Sequence, residues 1–316
     1  MNTLNRQSIW ITGANGFIGR NLAPLLAGLG YKVFGLGHGA WPARDALGFG
    51  VSQWVDGSLV AENLDLLAKS SCIPDKIFHL AGGSSVGVSL EAPYEDFCRT
   101  VTGTANLLEW IRLNAPKSKL IAVSSAAVYG DLHKHVVSES AKCNPCSPYG
   151  HHKLMMEILC QSYAKTFGVN VVIARLFSVY GKFLQKQLLW ELCTKLSLGN
   201  ASITLGGSGE ETRDWADIRD VVIALQVVGD LASNESPIIN IGTGLGVRVR
   251  EVVELVLSSW PHRSKILFNM KTRKGDPFSL IGDCRQLNSL GFSSQFPVQI
   301  GVPNYVEWYL RHMKIR

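Results

Sequence analysis

Residues 12–19 read Thr12-Gly13-Ala14-Asn15-Gly16-Phe17-Ile18-Gly19, directly after the apolar run Ser8-Ile9-Trp10-Ile11. Glycine tolerates the backbone angles of a tight turn and lets a ligand approach the main chain. The segment from Phe17 to Leu29 then has the apolar spacing of a helix. A strand, a glycine turn and a helix N-terminus in that order present free N–H groups and a partial positive charge to an anion. Gly13, Asn15, Gly16, Phe17, Ile18 and Gly19 are therefore candidate contacts for the pyrophosphate of a dinucleotide.

Working outward, short apolar runs at 32–36, 53–55, 76–80, 119–123 and 170–174 read as strands, and helical patterns such as 94–113 fall between most of them. Alternating strands and helices, with strands apolar almost throughout, imply a parallel sheet covered on both faces. The predicted fold is α/β, a Rossmann-type doubly wound sheet that binds ligands at the carboxyl ends of its strands. After Gly181 the loops lengthen; residues 1–177 are assigned to a dinucleotide-binding domain and 178–316 to a smaller substrate-binding lobe. The segment 237–246 is allowed to return to the first sheet.

Cofactor choice turns on the end of the second strand, where an acid would hold the ribose of NAD and a base the phosphate of NADP. The sequence there is Gly37-His38-Gly39, with no acid. His38 and Arg44 are placed to face a phosphate, Asp56 to bond the adenine amine, and Gly57 beside it. NAD is expected, with NADP left open.

Tyr149 and Lys153 stand four apart in a predicted helix over 148–167, so they share a face. A phenol titrates near 10, too high for a base at neutral pH, and an ammonium close by is expected to lower it. Ser124 and Ser125 end the fifth strand, where a hydroxyl would share the travelling proton.

With Leu80-Ala81-Gly82 after the fourth strand, Ser124-Ser125-Ala126-Ala127-Val128-Tyr129-Gly130, Tyr149-Gly150-His151-His152-Lys153, Arg213-Asp214-Trp215 and Arg273-Lys274-Gly275-Asp276-Pro277, the chain resembles the extended short-chain dehydrogenase/reductases. The likeness is to their nucleotide-sugar epimerase and dehydratase branch. It implies that Ser125, Tyr149 and Lys153 are catalytic and that Leu80, Ala81 and Gly82 line the cofactor site. It also implies that Ser84, Ser125, Ser178, Arg213 and Arg273 meet the substrate, the two arginines through its diphosphate. The branch's dehydratases carry an Asp-Glu pair where this chain has Ala126-Ala127, which disfavours dehydration. Thr100 and Ser178 replace two family asparagines. A 4-epimerase of a nucleotide-diphosphate sugar is expected, or else an NAD(P)H-dependent reductase of a 4-keto-6-deoxy sugar. A dinucleotide-sensing regulator is disfavoured because Tyr149 and Lys153 are both retained.

Composition sets limits. The net charge of +6 comes from scattered residues, which suits an anionic small molecule better than nucleic acid. Seven cysteines, an odd number, argue against a disulfide scaffold, and the lone Cys143–Cys146 pair reads as a loop feature rather than a metal site. No run is long and apolar enough to span a bilayer, and no secretory leader is read at 1–7. A cytoplasmic setting is expected. The resemblance also implies a homodimer built on the helices at 94–113 and 148–167, whose apolar residues include Leu107, Trp110, Leu154, Ile158 and Leu159.

Overall fold

A computed structural model describes residues 7–132, 135–271 and 277–315. The first part alternates strands and helices: β1 Ser8–Thr12, α1 Phe17–Gly28, β2 Lys32–Gly37, α2 Ala43–Gly48, β3 Val51–Asp56, α3 Ala61–Ser70 and β4 Lys76–His79. Then come α4 Val86–Glu91, α5 Pro93–Phe97, α6 Gly103–Asn114, β5 Lys119–Ser125, α7 Pro148–Phe167 and β6 Asn170–Leu176. The chain continues with β7 Ser178–Tyr180, α8 Gln187–Ser197, β8 Ser202–Leu205, β9 Thr212–Asp217, α9 Ile218–Val228, β10 Ile238–Ile241 and β11 Gly246–Arg248. It ends with α10 Val249–Ser258, β12 Lys265–Phe268, β13 Ser279–Leu280, α11 Arg285–Ser289 and α12 Val298–Met313.

Seven strands form one sheet in the order β10-β6-β5-β4-β1-β2-β3. Every pairing in it is parallel. The order reverses between β1 and β4, where Thr12 lies opposite His79. Crevices at such reversals receive ligands. β1 is buried at every position, as a strand covered on both faces requires. Segment 238–241 joins this sheet beside β6, and α9 also packs here, against α1, β6 and β10.

The lobe above it has two small sheets, one centred on β9, flanked by β11 and β13 with β7 alongside, and one of β8 with β12. Its core is supplied largely by α8, α10 and α12 through residues such as Leu192, Val256, Val302 and Tyr309.

The helix expected over 94–113 is interrupted. Cys98–Thr102 form a π-helical turn between α5 and α6, an insertion that often marks functional sites. Leu107 and Trp110, expected to reach beyond the subunit, are instead buried within it. Trp110 lies 5.0 Å from Trp10 and donates to Asp65. Ile158, Met155 and Tyr94 are exposed.

Candidate active site

A cleft of about 1550 Å³ runs between the sheet's strand ends and the upper lobe. Gly13 begins its floor with φ +76°, and a Cβ there would stand 3.0 Å from the Ala81 nitrogen. Gly19 lets α1 close on the turn, since a Cβ would fall 2.5 Å from the Ala14 carbonyl oxygen. These close approaches create the cradle a pyrophosphate needs. Gly13, Asn15, Gly16, Phe17, Ile18, Gly19, His38, Gly57, Leu80, Ala81 and Gly82 all line the cleft. Arg20 holds Asn15 in place by donating to its side-chain oxygen at 2.6 Å and its carbonyl at 3.0 Å.

Asp56 is not among the lining residues; its carboxylate accepts the Gly39 N–H at 2.9 Å. The missing acid at Gly37 has a steric cause. A Cβ at Gly37 would meet the Trp54 indole at 3.0 Å, and one at Gly35 the same ring at 3.0 Å. Trp54 thus fills the space beside β2 that an acid's stem would need.

At the sheet's reversal a chain of neutral hydrogen bonds ties the two floor turns together. Thr104 donates to the Thr100 carbonyl at 2.6 Å, so its oxygen accepts from His79 Nε2 at 2.9 Å. His79 Nδ1 then accepts from Thr12 Oγ1 at 2.7 Å, and Thr12 in turn accepts the Ala81 N–H at 3.3 Å. Burial, aided by the Lys153 charge, pushes the imidazole down to about 3, so it stays neutral.

The reactive end is built on β5 and the start of α7. Ser125 caps the short turn Ala126–Val128, accepting the Ala127 N–H at 3.2 Å. Ser147 caps α7, accepting the Gly150 N–H at 3.2 Å, with Pro148 in the helix's first turn. Gly150 lets the helix approach β5, because a Cβ would come within 2.7 Å of the Ala127 carbonyl oxygen. The Tyr149 N–H donates to Ser89 Oγ at 3.0 Å, and Lys153 Nζ to the Val123 carbonyl at 3.0 Å. Ser125, Tyr149 and Lys153 thereby meet at one end of the cleft.

Burial raises the Tyr149 phenol above its ordinary value, while a hydrogen bond from Ser125 pulls it down and Asp96 pushes it up. The net shift is upward, where the sequence spacing suggests an acidified phenol. The Lys153 ammonium is committed to Val123, and burial lowers its own value to about 8, against the pull of Asp96 and Glu157.

Ser84, Ser178 and Arg213 also line the cleft. Arg213 donates to the carbonyls of Thr212 at 3.0 Å and Phe278 at 3.2 Å. Arg273 lies outside the described residues. The sequence reading missed Lys186, which lines the cleft and donates to the Ser84 carbonyl at 2.8 Å. It also missed the task of Thr100, whose hydroxyl oxygen accepts the Gly83 N–H at 2.7 Å. No motif flags Lys186; its place depends on positive φ angles at Phe183 and Gln187 on either side.

A parallel sheet with a glycine cradle at its reversal and a Ser-Tyr-Lys cluster at the adjoining strand end define a dinucleotide-dependent enzyme of the short-chain dehydrogenase/reductase type. More narrowly, the chain belongs to the NAD dependent epimerase/dehydratase family, whose model matches residues 9–242. It is 28% identical to a putative UDP-glucose 4-epimerase of Methanocaldococcus jannaschii, over 95% of this chain and 97% of that one. Among solved structures it is similar to MoeE5 in complex with UDP-glucuronic acid and NAD, at 30% identity and a TM-score of 0.85, covering 96% of this chain and 99% of that chain. It is also similar to the UDP-glucuronic acid 4-epimerase of Bacillus cereus, in complex with UDP-glucuronic acid and NAD, at 25% identity and a TM-score of 0.86. That match covers 97% of this chain and 100% of the other. Among the described residues no helix is long and apolar enough to cross a membrane.

Proposed function

We propose that this protein is an NAD-dependent 4-epimerase of nucleotide-diphosphate sugars. The observation that carries the reading is the meeting of Ser125, Tyr149 and Lys153 at the end of a cleft whose glycine floor fits a dinucleotide. Near-full-length likeness to proteins named as UDP-sugar 4-epimerases supports it.

Bound NAD supplies a reversible hydride acceptor at the sugar carbon. The chain's own residues hold the sugar and move its proton. Tyr149 accepts the hydroxyl proton, Ser125 shares it, and Lys153 supplies positive charge beside the phenol's oxygen. Arg213, together with Arg273, holds the diphosphate. Ala126 and Ala127 supply no acid or base for removing water, so dehydration is not part of the reading. Reduction of a 4-keto-6-deoxy sugar stays as the second reading because Trp54 stands where a ribose-binding acid would grow, which suits an exchangeable cofactor.

Proton NMR of the purified protein with UDP-glucose and with UDP-glucuronic acid, without added reductant, tests the choice. Interconversion at C4 supports the epimerase. No epimer, with NAD(P)H consumed on a 4-keto sugar, replaces it with the reductase.

The reading includes a homodimer through α7 and the α5–α6 region, on the exposed Tyr94, Met155 and Ile158. A monomer in sedimentation at micromolar concentration overturns that part. A cytoplasmic setting fits the seven cysteines, all of them free thiols.

A further inference from the structure

Beside the reactive end lies a buried acid that the reaction as described does not use. Asp96, in α5, is 3% exposed. One carboxylate oxygen takes His152 Nδ1 at 2.5 Å; the other is buried with no hydrogen-bond partner among the described residues. Leaving such an oxygen unsatisfied is costly, and native structures seldom do it without a reason.

The surroundings supply a reason. Gly83 lies directly over the unpartnered oxygen, where a Cβ would fall only 1.8 Å from it. At its neighbour Gly82 a Cβ would stand 3.2 Å from Thr100 Oγ1 and 3.6 Å from Lys153 Nζ. The Gly82-Gly83 turn is therefore backbone without side chains that approaches both the Asp96 carboxylate and the Lys153 ammonium closely. Thr100 pins it from the π-helical turn through the Gly83 N–H. His152, which clasps Asp96, is the residue next to Lys153 on α7.

We propose that Asp96, clasped by His152, is a positioning residue for the reaction, supplying through the Gly82-Gly83 turn the fixed negative charge that the Tyr149–Lys153 pair experiences. The inference rests on the reading of Tyr149 and Lys153 as the catalytic pair.

The other groups facing that pair are accounted for. Glu157, one turn along α7, is matched by Arg175 at 2.7 Å. Burial pushes the Cys160 thiol up to about 12, so it is uncharged. His79, on β4, is neutral. Lys186, before α8, carries the same sign as Lys153. Asp96 is left as the carboxylate whose one side-chain partner is the His152 imidazole. In a dry site its field is weakly screened. It favours the charged lysine and disfavours the phenolate, so it raises both groups.

The two effects share a sign, which makes the test decisive. Asp96→Asn should move both limbs of the pH–rate profile to lower pH by about one unit. His152→Gln keeps the carboxylate and a donor to it and removes only the ring, so its limbs should stay at or above the wild-type positions. Asp96→Glu should restore the wild-type profile. An Asp96→Asn enzyme slowed at every pH with its limbs unmoved would show a merely structural residue and overturn the proposal. So would an acid shift in His152→Gln, which also serves if Asp96→Asn fails to fold. A second readout needs no substrate: the tyrosinate absorbance of the holoprotein, taken as a difference against Tyr149→Phe. A lower Tyr149 midpoint in Asp96→Asn, with no sugar turned over, upholds the electrostatic role and rejects the epimerase reading. An unmoved midpoint in an active enzyme does the reverse.

Discussion

Two clusters of charge occupy very different surroundings. Behind β5, Glu157 and Arg175 are almost fully buried and form a two-pronged pair, with bonds of 2.7 and 3.0 Å. Ser124 donates to the same carboxylate at 2.5 Å, and the Arg175 guanidinium lies 4.7 Å from the Tyr129 ring centre. In the upper lobe, Glu210 receives Arg248 at 3.2 Å and Arg250 at 3.0 Å, with each side chain about half exposed. Similar pairings in wet and dry places are not similar in effect. The buried pair has left water, so neither partner can be removed without stranding the other. The exposed triad stays solvated and screened, and its loss is absorbed by water. The first cluster backs the strand that presents Ser125 and the carbonyl holding Lys153. The second only trims the entrance to a helix.

The largest effect expected is at the end of the cleft that the dry cluster supports. Tyr149→Phe removes the proton acceptor and leaves the ring's packing, so kcat should fall by roughly 10²–10⁴-fold. The NAD content of the purified protein should be unchanged. Wild-type turnover on a confirmed substrate would remove Tyr149 from the reaction.

Glu157→Gln tests the comparison itself. Unpairing a buried ion pair should cost about 3–5 kcal/mol of stability. Arg250→Gln should leave the denaturation midpoint within error of wild type. Chemical denaturation of the two variants side by side checks the contrast, and equal losses would break it.

How far the sequence goes is visible in the same two regions. The sheet and its glycine turn were legible because a buried parallel strand is apolar along its length, and because each glycine answers to a local backbone need. Residues 238–241 were read as a strand with a possible return to the sheet, but its neighbour β6 is set by packing. The Ser125–Tyr149–Lys153 cluster was legible through resemblance, with the four-residue spacing adding a shared helix face. Its charge balance was not. The spacing of Tyr149 and Lys153 suggests an acidified phenol, while the folded protein has burial acting against both groups. Asp96 and Lys186 are remote in sequence from the residues they approach, and no periodicity reports such meetings. Trp54 is the same kind of case: it lies on β3 and decides what position 37 of β2 can carry.

A smaller effect is expected where the cleft is more open. Arg213→Ala removes a charge-assisted donor placed in the lobe rather than by the glycine cradle. The loss should be about 1.5–3 kcal/mol of nucleoside-diphosphate binding, or about ten- to a hundredfold in affinity. NAD binding should be spared. Calorimetric titration with UDP and NAD separately distinguishes the ligands; equal losses would indicate damage to the fold, and a loss for NAD alone would reassign the arginine to the cofactor.

The mildest change needs no mutation and sets activity against stability. Burial lowers Lys153 from its ordinary 10.5 to about 8. Between those values the unfolded chain holds a proton there that the folded chain has released. Stability from this group therefore rises with pH across that window, is complete above the unfolded value, and is lost as pH falls through about 8. The reaction runs the other way, since Tyr149 needs the charged ammonium beside it. Raising the pH through the folded value should cut the rate, by about tenfold between one unit below it and one unit above it. Thermal melts over the same range should show this residue's contribution strengthening, and Lys153→Met should remove both the rate limb and that part of the stability slope. A rate and a melting temperature that fell together, in wild type and variant alike, would mean that general unfolding, and not the Lys153 proton, sets the alkaline limit.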